Sequence, residues 1–359
     1  MKHKIKIVII GTYFGKFPSY FDLWLKSASW NKSIDFLIIT DQQICAVSSN
    51  IKVIRSDLKR IADLAKEKLK FNVRIDFPYK LCDYKEVYGI IFEDYIKDYD
   101  YWGECDFDMI WGDLKKFFDL YQIEKYDKFL SCGHLTLYRN TKSVNQRYRL
   151  KGSWTGNYKE VFRSKRCCGF DEELGINQIY RLHKFPYFEK IIFADIDTRY
   201  RDYRHAKTED IINYSKQIFY WEDGKVLKDY FDGGNLKTEE FAYIHLQKRQ
   251  LPSPPSELLN EDTSFYITNK GFIKKEDVTT GGVIDEYNLK IEEDIRFIEA
   301  QERLVRQTIN LRKTWAGRRV YDMRVILFHT AGIILKKIPG GSSVISILKK
   351  QRIKKALKH

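Results

Sequence analysis

The first third of the chain alternates between apolar β-branched runs and amphipathic segments, and this pattern constrains the fold more than any other feature. Residues 4–10 and 34–40 are continuous isoleucine-rich runs, typical of strands buried on both faces of a parallel sheet. Helices are expected after Ser19, to about Trp30, and over residues 58–69, because each begins beside a capping residue. Strand–helix–strand order at this spacing predicts an α/β domain.

Basic residues concentrate at the end of the chain. Residues 310–359 hold 13 Lys and Arg and one acid, whereas residues 1–309 hold 50 basic and 48 acidic residues. A near-neutral body disfavours a nucleic-acid partner, which normally requires positive charge along the binding cleft. A basic tail interleaved with apolar residues favours attachment to an anionic membrane surface. A solvated tail, or a helix packed on the body, is the alternative.

Cysteine spacing and the short apolar runs indicate a reduced, cytoplasmic compartment. The six cysteines form no CxxC pair, which disfavours a zinc ribbon or a thioredoxin motif. The opening apolar run ends at Gly11 and is too short for a secretory signal. The longest run, residues 325–335, is too short to span a bilayer. We therefore expect a cytoplasmic protein that lies peripherally on the inner face of the cell membrane.

Two carboxylates, Asp106 and Asp108, follow an aromatic strand expected over residues 101–105. Residues two apart in a strand project to the same side, so both carboxylates can bind one hard cation. Such a cation can bridge the phosphates of a nucleotide and neutralise a leaving group. A lone D-x-D pair is a weak signal, because Asp195 and Asp197 form a second one and a solvated turn is the alternative.

Four motifs in order resemble those of bacterial GT-A-type glycosyltransferases from polysaccharide biosynthesis loci. They are YFGK at 13–16, PYKLCD at 78–83, CDFD at 105–108 and HLQKR at 245–249. Together they are moderately specific, and the resemblance covers residues 4–250.

The resemblance implies a GT-A-like (Rossmann-like) α/β fold, with a mixed sheet flanked by helices, over residues 1–255. A helical, basic C-terminal extension would follow over residues 256–359. The implied partners are a nucleotide-sugar donor, most simply a UDP-sugar, and a surface polysaccharide or lipid-linked oligosaccharide acceptor. The implied cofactor is Mn²⁺ or Mg²⁺.

Carried over by the resemblance, the metal ligands are Asp106, Asp108 and His245, and Asp106 also lies near the ribose of the nucleotide-sugar. From the residues alone the case for His245 is weaker, because a histidine in an aromatic strand is more often a satisfied core residue. Lys248, three positions later, could hold phosphate oxygens.

The loop after the first strand contains the expected nucleotide-sugar-binding residues Thr12, Tyr13 and Phe14. Ligands of α/β sheets bind beyond the carboxyl ends of strands, and an aromatic ring there could stack on a base. The loop has neither a GxGxxG nor a P-loop pattern, and an ordinary βα turn is the alternative. The resemblance adds Lys80 and Asp83 to the donor site, although a surface ion pair, which would contribute little, is the alternative.

The expected catalytic residues are Asp171 and Glu172, which open a predicted helix over residues 171–182. This position resembles the acidic acceptor-side position of GT-A enzymes. An inverting transferase needs a carboxylate to take the proton of the acceptor hydroxyl. Favourable interaction of acids with a helix N-terminus explains the same residues without catalysis, and a retaining transferase needs no such base.

The sequence therefore predicts a metal-dependent glycosyltransferase of the hexosyltransferase type. A nucleotidyl- or phosphotransferase using the same two aspartates is one alternative. A non-catalytic protein that binds saccharide or membrane is the other.

Overall fold

The computed structural model describes residues 4–44, 48–198, 200, 202–206, 211–247 and 249–287. These residues belong to one compact unit. The rest of the basic extension, with the tail expected to bind membranes, lies outside them. None of the helices in the described ranges is long and apolar enough to cross a membrane.

A seven-stranded mixed sheet forms the centre of the unit, in the order β3-β2-β1-β4-β7-β6-β8. Its strands are β1 (Ile7–Tyr13), β2 (Ile34–Thr40), β3 (Ile51–Arg55), β4 (Tyr101–Cys105), β6 (Lys128–Cys132), β7 (Leu135–Arg139) and β8 (Tyr187–Phe188). Strands β3, β2, β1 and β4 are parallel, and β7 pairs antiparallel with β4.

Helices cover both faces of this sheet. They are α1 (Phe21–Trp30), α2 (Leu58–Leu69), α3 (Tyr88–Ile91), α4 (Glu93–Ile96), α5 (Leu114–Leu120), α6 (Lys142–Asn145), α7 (Tyr158–Arg163) and α8 (Ile176–Leu182). A further helix, α9 (Thr280–Tyr287), packs on the five-stranded sheet described below. Successive strand residues point to opposite faces, so Ile9 of β1 packs in one apolar layer with Trp24 of α1. Val8 packs in the other layer with Ile61 of α2. The expected α/β fold, with a mixed sheet flanked by helices, is confirmed.

Two smaller sheets lie beside the central one. The antiparallel five-stranded sheet, in spatial order, contains β12 (Asn235–Phe241), β11 (Lys225–Asp232), β10 (Gln217–Glu222), β14 (Phe265–Thr268) and β15 (Gly271–Lys274). The three-stranded sheet contains β5 (Met109–Trp111), β13 (Tyr243–His245) and β9 (Ala194–Asp195). Because β13 lies between β5 and β9, the register places His245 beside both Met109 and Asp195.

The chain after residue 255 begins with strands as well as helices. Strand β14 pairs with β10, and β15 pairs with β14. Residues up to 287 therefore contribute to the five-stranded sheet and the helix α9 that packs on it. The division of the chain at residue 255 stays a prediction.

Candidate functional site

The loop that carries the first D-x-D pair joins β4 to β5 and is anchored by Phe107. This side chain is buried, and its ring lies 5.0 Å from that of Trp24. Trp24 Nε1 also donates a hydrogen bond to the Asp106 carbonyl, at 3.1 Å. A Cβ at Gly11 would lie 2.3 Å from Phe107 Cζ, so only glycine allows the ring to approach β1 this closely. The packing fixes the two flanking aspartates at the end of β4.

His245 is held between two carboxylates. Its Nε2 lies 3.4 Å from Asp108 Oδ1, and its Nδ1 lies 2.8 Å from Asp195 Oδ1. Gln247 Nε2 donates to the same Asp195 oxygen at 2.7 Å. A carboxylate on one imidazole nitrogen orients the other, which is the usual arrangement around a metal-binding histidine. Asp195, from the second D-x-D pair, thus directs His245 Nε2 towards Asp108.

Asp106, Asp108 and His245 form a candidate cation site. One ligand atom from each lies within 4.8 Å of the other two. Two carboxylate oxygens and one imidazole nitrogen suit a divalent cation such as Mn²⁺, and the carboxylates also suit Mg²⁺. The Asp106 side chain is 33% exposed, so the cluster opens towards solvent and a ligand. The residues therefore fit the expected cofactor.

Burial and neighbouring charges set the protonation of this cluster. Burial lowers the pKa of His245, but its contacts with Asp108 and Asp195 outweigh burial and raise the pKa to about 10. Burial also raises the pKa of Asp195, but the hydrogen bonds from His245 and Gln247 and the neighbouring imidazoles together outweigh it and hold that pKa below its usual range. A cation that binds His245 Nε2 must therefore displace a proton.

A buried lysine connects the loop to two other segments. Lys85 Nζ lies 2.6 Å from Asp106 Oδ1, 3.1 Å from Glu104 Oε2 and 3.8 Å from Asp171 Oδ2. It also donates to the carbonyl of Gly133. Although burial lowers the Lys85 pKa, the surrounding carboxylates raise it well above its ordinary value. Lys85 therefore stays charged and holds one oxygen of Asp106.

Two cavities meet at the candidate cation site. The first, of about 650 Å³, is rich in aromatic side chains and is lined by Tyr13, Phe14 and Asp108 among others; it is called the aromatic cavity below. The second, of about 380 Å³, is polar and is lined by Glu172 and His245 among others. Asp106 lines both cavities. A ligand that spans them would pass the cluster, and each volume lies in the range of small-molecule sites.

The structure places some of the expected nucleotide-sugar-binding residues at the aromatic cavity and others away from both cavities. Thr12, Tyr13 and Phe14 line the aromatic cavity, and Thr12 Oγ1 is hydrogen-bonded to the Tyr88 hydroxyl at 2.6 Å. Lys248 lies outside the described residues.

Lys80 and Asp83, also expected at the donor site, line neither cavity. Both are buried, and Lys80 Nζ lies 2.6 Å from Asp83 Oδ2. Asp83 accepts hydrogen bonds from the backbone N–H of Cys168 and Phe170, at 2.9 and 3.1 Å. The pair fixes the segment that leads to Glu172.

Asp171 and Glu172 do not open a helix, because α8 begins at Ile176. They lie in a turn in which a Cβ at Gly175 would sit 1.9 Å from the carbonyl oxygen of Phe170. Both residues line the polar cavity. Asp171 is buried, whereas the Glu172 side chain remains exposed to solvent. Desolvation in the cavity raises the pKa of both carboxyls, and that of Asp171 lies well above its ordinary value. The turn therefore presents two carboxylates of different character.

Three further residues of the site are not predicted from the sequence: Lys85, His134 and Asp195. Lys85 gave no signal beyond its place in an aromatic, charged loop. The second D-x-D pair is recognisable in the sequence, but no local feature indicates that Asp195 lies near the first pair. His134 stacks on His245 with ring centroids 4.2 Å apart, a contact set by the pairing of distant segments.

Residues 9–276 match the family of unknown function DUF6625. The chain therefore belongs to this family. None of the curated proteins matches the sequence.

Solved structures similar to this chain include three glycosyltransferases. GlyE of Streptococcus pneumoniae TIGR4 is 13% identical to this chain, with a TM-score of 0.32. The match covers 52% of this chain and 45% of GlyE, so this chain spans less than half the length of GlyE. The galactosyltransferase LgtC, in complex with donor and acceptor sugar analogs, is 12% identical with a TM-score of 0.35; the match covers 68% of this chain and 88% of LgtC. Mouse xyloside xylosyltransferase 1 is 9% identical with a TM-score of 0.30; the match covers 55% of this chain and 90% of the mouse protein.

Proposed function

We propose that this protein is a metal-dependent glycosyltransferase that uses a nucleotide-sugar donor, most simply a UDP-sugar. One observation carries the proposal: the cluster of Asp106, Asp108 and His245 lies where the aromatic cavity meets the polar cavity. A nucleotide-sugar has the matching order of parts, with an aromatic base, an anionic diphosphate and a hydroxyl-rich sugar.

In this proposal the aromatic cavity binds the nucleoside, and Tyr13 or Phe14 stacks on the base. Arg249 lines the same cavity, and its Nη2 is fixed by the carbonyl oxygens of Asp197 and Tyr200, each at 2.8 Å. Its guanidinium can therefore bind a diphosphate oxygen without a large loss of side-chain entropy. Lys248, adjacent in sequence, is proposed to add a second positive charge.

Asp106, Asp108 and His245 would hold Mn²⁺ or Mg²⁺ at the diphosphate. When bound, the ion stabilises the negative charge that develops on the leaving nucleoside diphosphate. The ion pair with Lys85 keeps Asp106 in place, and Asp195 keeps His245 in its tautomer and orientation.

Glu172 is the better placed of the two expected catalytic carboxylates. It is exposed at the polar cavity, so an acceptor hydroxyl can reach it and transfer its proton during inverting transfer. Asp171 is buried against Lys85 and holds its own proton more tightly, which suits hydrogen bonding to the sugar.

The acceptor is proposed to be a surface polysaccharide or a lipid-linked oligosaccharide. The support is the basic, apolar tail over residues 310–359, with 13 Lys and Arg, which suits an anionic membrane surface. Flotation with anionic liposomes tests this point. The full chain should float, and a version ending at residue 309 should not; equal flotation of the two contradicts it.

Product analysis tests the reaction class. The protein is incubated with Mn²⁺, nucleotide-sugars and candidate acceptors, and the nucleotide products are separated by chromatography. Sugar transfer releases a nucleoside diphosphate, whereas nucleotidyl transfer from the same donor, the second candidate, releases a sugar phosphate. Asp108→Asn should abolish turnover. The matched control is Asp119→Asn, which removes a 62%-exposed carboxylate on α5 and should behave as wild type.

A further inference from the structure

The charged groups of the polar cavity are acidic except for His245, which is already engaged by Asp108 and Asp195. Its lining includes Asp106, Asp171, Glu172 and Asp195, and none of its described lining residues is Lys or Arg. The nearest buried cation, Lys85, is already engaged by Asp106, Glu104 and Asp171. A cation at the D-x-D cluster would offset Asp106, but not Glu172 or Asp195.

Two buried polar atoms in the wall of this cavity also need a ligand. Asp171 Oδ1 and His134 Nε2 have no hydrogen-bond partner among the described residues, and the two residues are only 3% and 6% exposed. The Tyr243 hydroxyl, at 3.0 Å, occupies the other ring nitrogen of His134. A buried polar atom without a partner is costly, so a ligand rich in hydroxyl groups is favoured here.

From this wall we infer that the polar cavity selects an uncharged, hydroxyl-rich sugar, such as a neutral hexose or an N-acetylhexosamine, and rejects uronic acids. The inference rests on the proposed function and names its donor class. Carboxylates accept hydrogen bonds from sugar hydroxyls, and a protonated Asp171 can also donate one. A sugar carboxylate would instead face Glu172 and Asp195 in a partly desolvated cavity, where like charges repel strongly.

Matched nucleotide-sugars that differ only in oxidation at C6 provide the test. Binding of UDP-glucose and UDP-glucuronate, and of GDP-mannose and GDP-mannuronate, is measured by titration calorimetry with Mn²⁺, with UDP and GDP alone as references. For the nucleotide that binds, the neutral sugar should bind at least about tenfold more tightly than its uronate, a repulsion of ordinary size for one unpaired charge. Equal or tighter binding of the uronate overturns the inference and leaves the proposed function standing. If neither diphosphate binds with Mn²⁺, the proposed function fails, and the inference fails with it.

A pair of neighbouring variants links the selectivity to the cavity. Glu172→Gln removes one cavity charge and should reduce the neutral-to-uronate ratio about three- to tenfold, since one like-charge contact is lost. Glu173→Gln is the matched control, because Glu173 is exposed, pairs with Arg181 and does not line the cavity. It should leave the ratio unchanged. The inference is overturned if Glu172→Gln leaves the neutral-to-uronate ratio unchanged, or if both variants change it equally.

Discussion

Replacing Asp83 by alanine should destabilise the protein strongly, although Asp83 lines neither cavity. The side chain is fully buried and accepts hydrogen bonds from Lys80 Nζ at 2.6 Å and from the backbone of Cys168 and Phe170. Its loss leaves the Lys80 ammonium buried, and the partners that remain for it among the described residues are the carbonyl oxygens of Val161 and Arg166, each at 2.8 Å.

Breaking a buried ion pair from one side costs about 3–5 kcal/mol, because the remaining charge has no compensating partner. For a unit of this size the corresponding fall in the melting temperature is on the order of 6–10 °C. The double variant Lys80→Met with Asp83→Asn removes both charges, so it should recover part of that loss.

Urea unfolding and thermal unfolding followed by circular dichroism measure these effects. The matched control is Asp76→Ala, which breaks an ion pair with Arg74 whose side chains are 43% and 48% exposed. It should cost less than about 1 kcal/mol. If Asp83→Ala is as stable as this control, the buried pair does not have the structural role assigned to it.

Asp195→Asn should weaken Mn²⁺ binding about 10–100-fold in calorimetry, because His245 loses the carboxylate that orients it; unchanged affinity contradicts that role. Gly11→Ala should cost about 1–3 kcal/mol in thermal unfolding, because a Cβ there lies 2.3 Å from Phe107 Cζ; wild-type stability would show that the ring can move freely. Burial lowers the pKa of Lys128 from 10.5 to about 8, so the unfolded state binds more protons between these values. Wild-type stability relative to Lys128→Met should therefore rise with pH across that window, by on the order of 3 kcal/mol in urea unfolding; a constant difference contradicts this.

The central sheet could be predicted because its signals are local. Residues 7–10 and most of 34–40 are apolar and buried, and the structure places them in β1 and β2. The first strand begins at Ile7 and not at residue 4, because Lys4 and Lys6 are exposed. The helix predicted over residues 171–182 fails at its start for an equally local reason. The close contact between Gly175 and the Phe170 carbonyl makes a turn, and acidic residues suit a turn as well as a helix N-terminus.

The candidate site could be predicted only in part. The two aspartates of the first D-x-D pair are only two residues apart, so their proximity is a local feature of the sequence, although they lie in the loop between β4 and β5 and not in a strand. Lys85, His134 and Asp195 join them through pairing of segments far apart in the chain, which no local pattern reveals. Lys80 shows the opposite case: the resemblance places it at the donor site, but its partners are buried groups of the protein itself.

Binding of Mn²⁺ to the full chain, measured by electron paramagnetic resonance in the presence and absence of UDP, tests the central claim most directly. The account predicts one bound ion whose affinity rises when UDP is present, and a loss of at least about 100-fold for Asp108→Asn, since a direct ligand should contribute at least as much as the groups that orient it. The Asp119→Asn control should bind Mn²⁺ as wild type does. Equal Mn²⁺ binding by Asp108→Asn and wild type would contradict the claim that Asp106, Asp108 and His245 hold the cation.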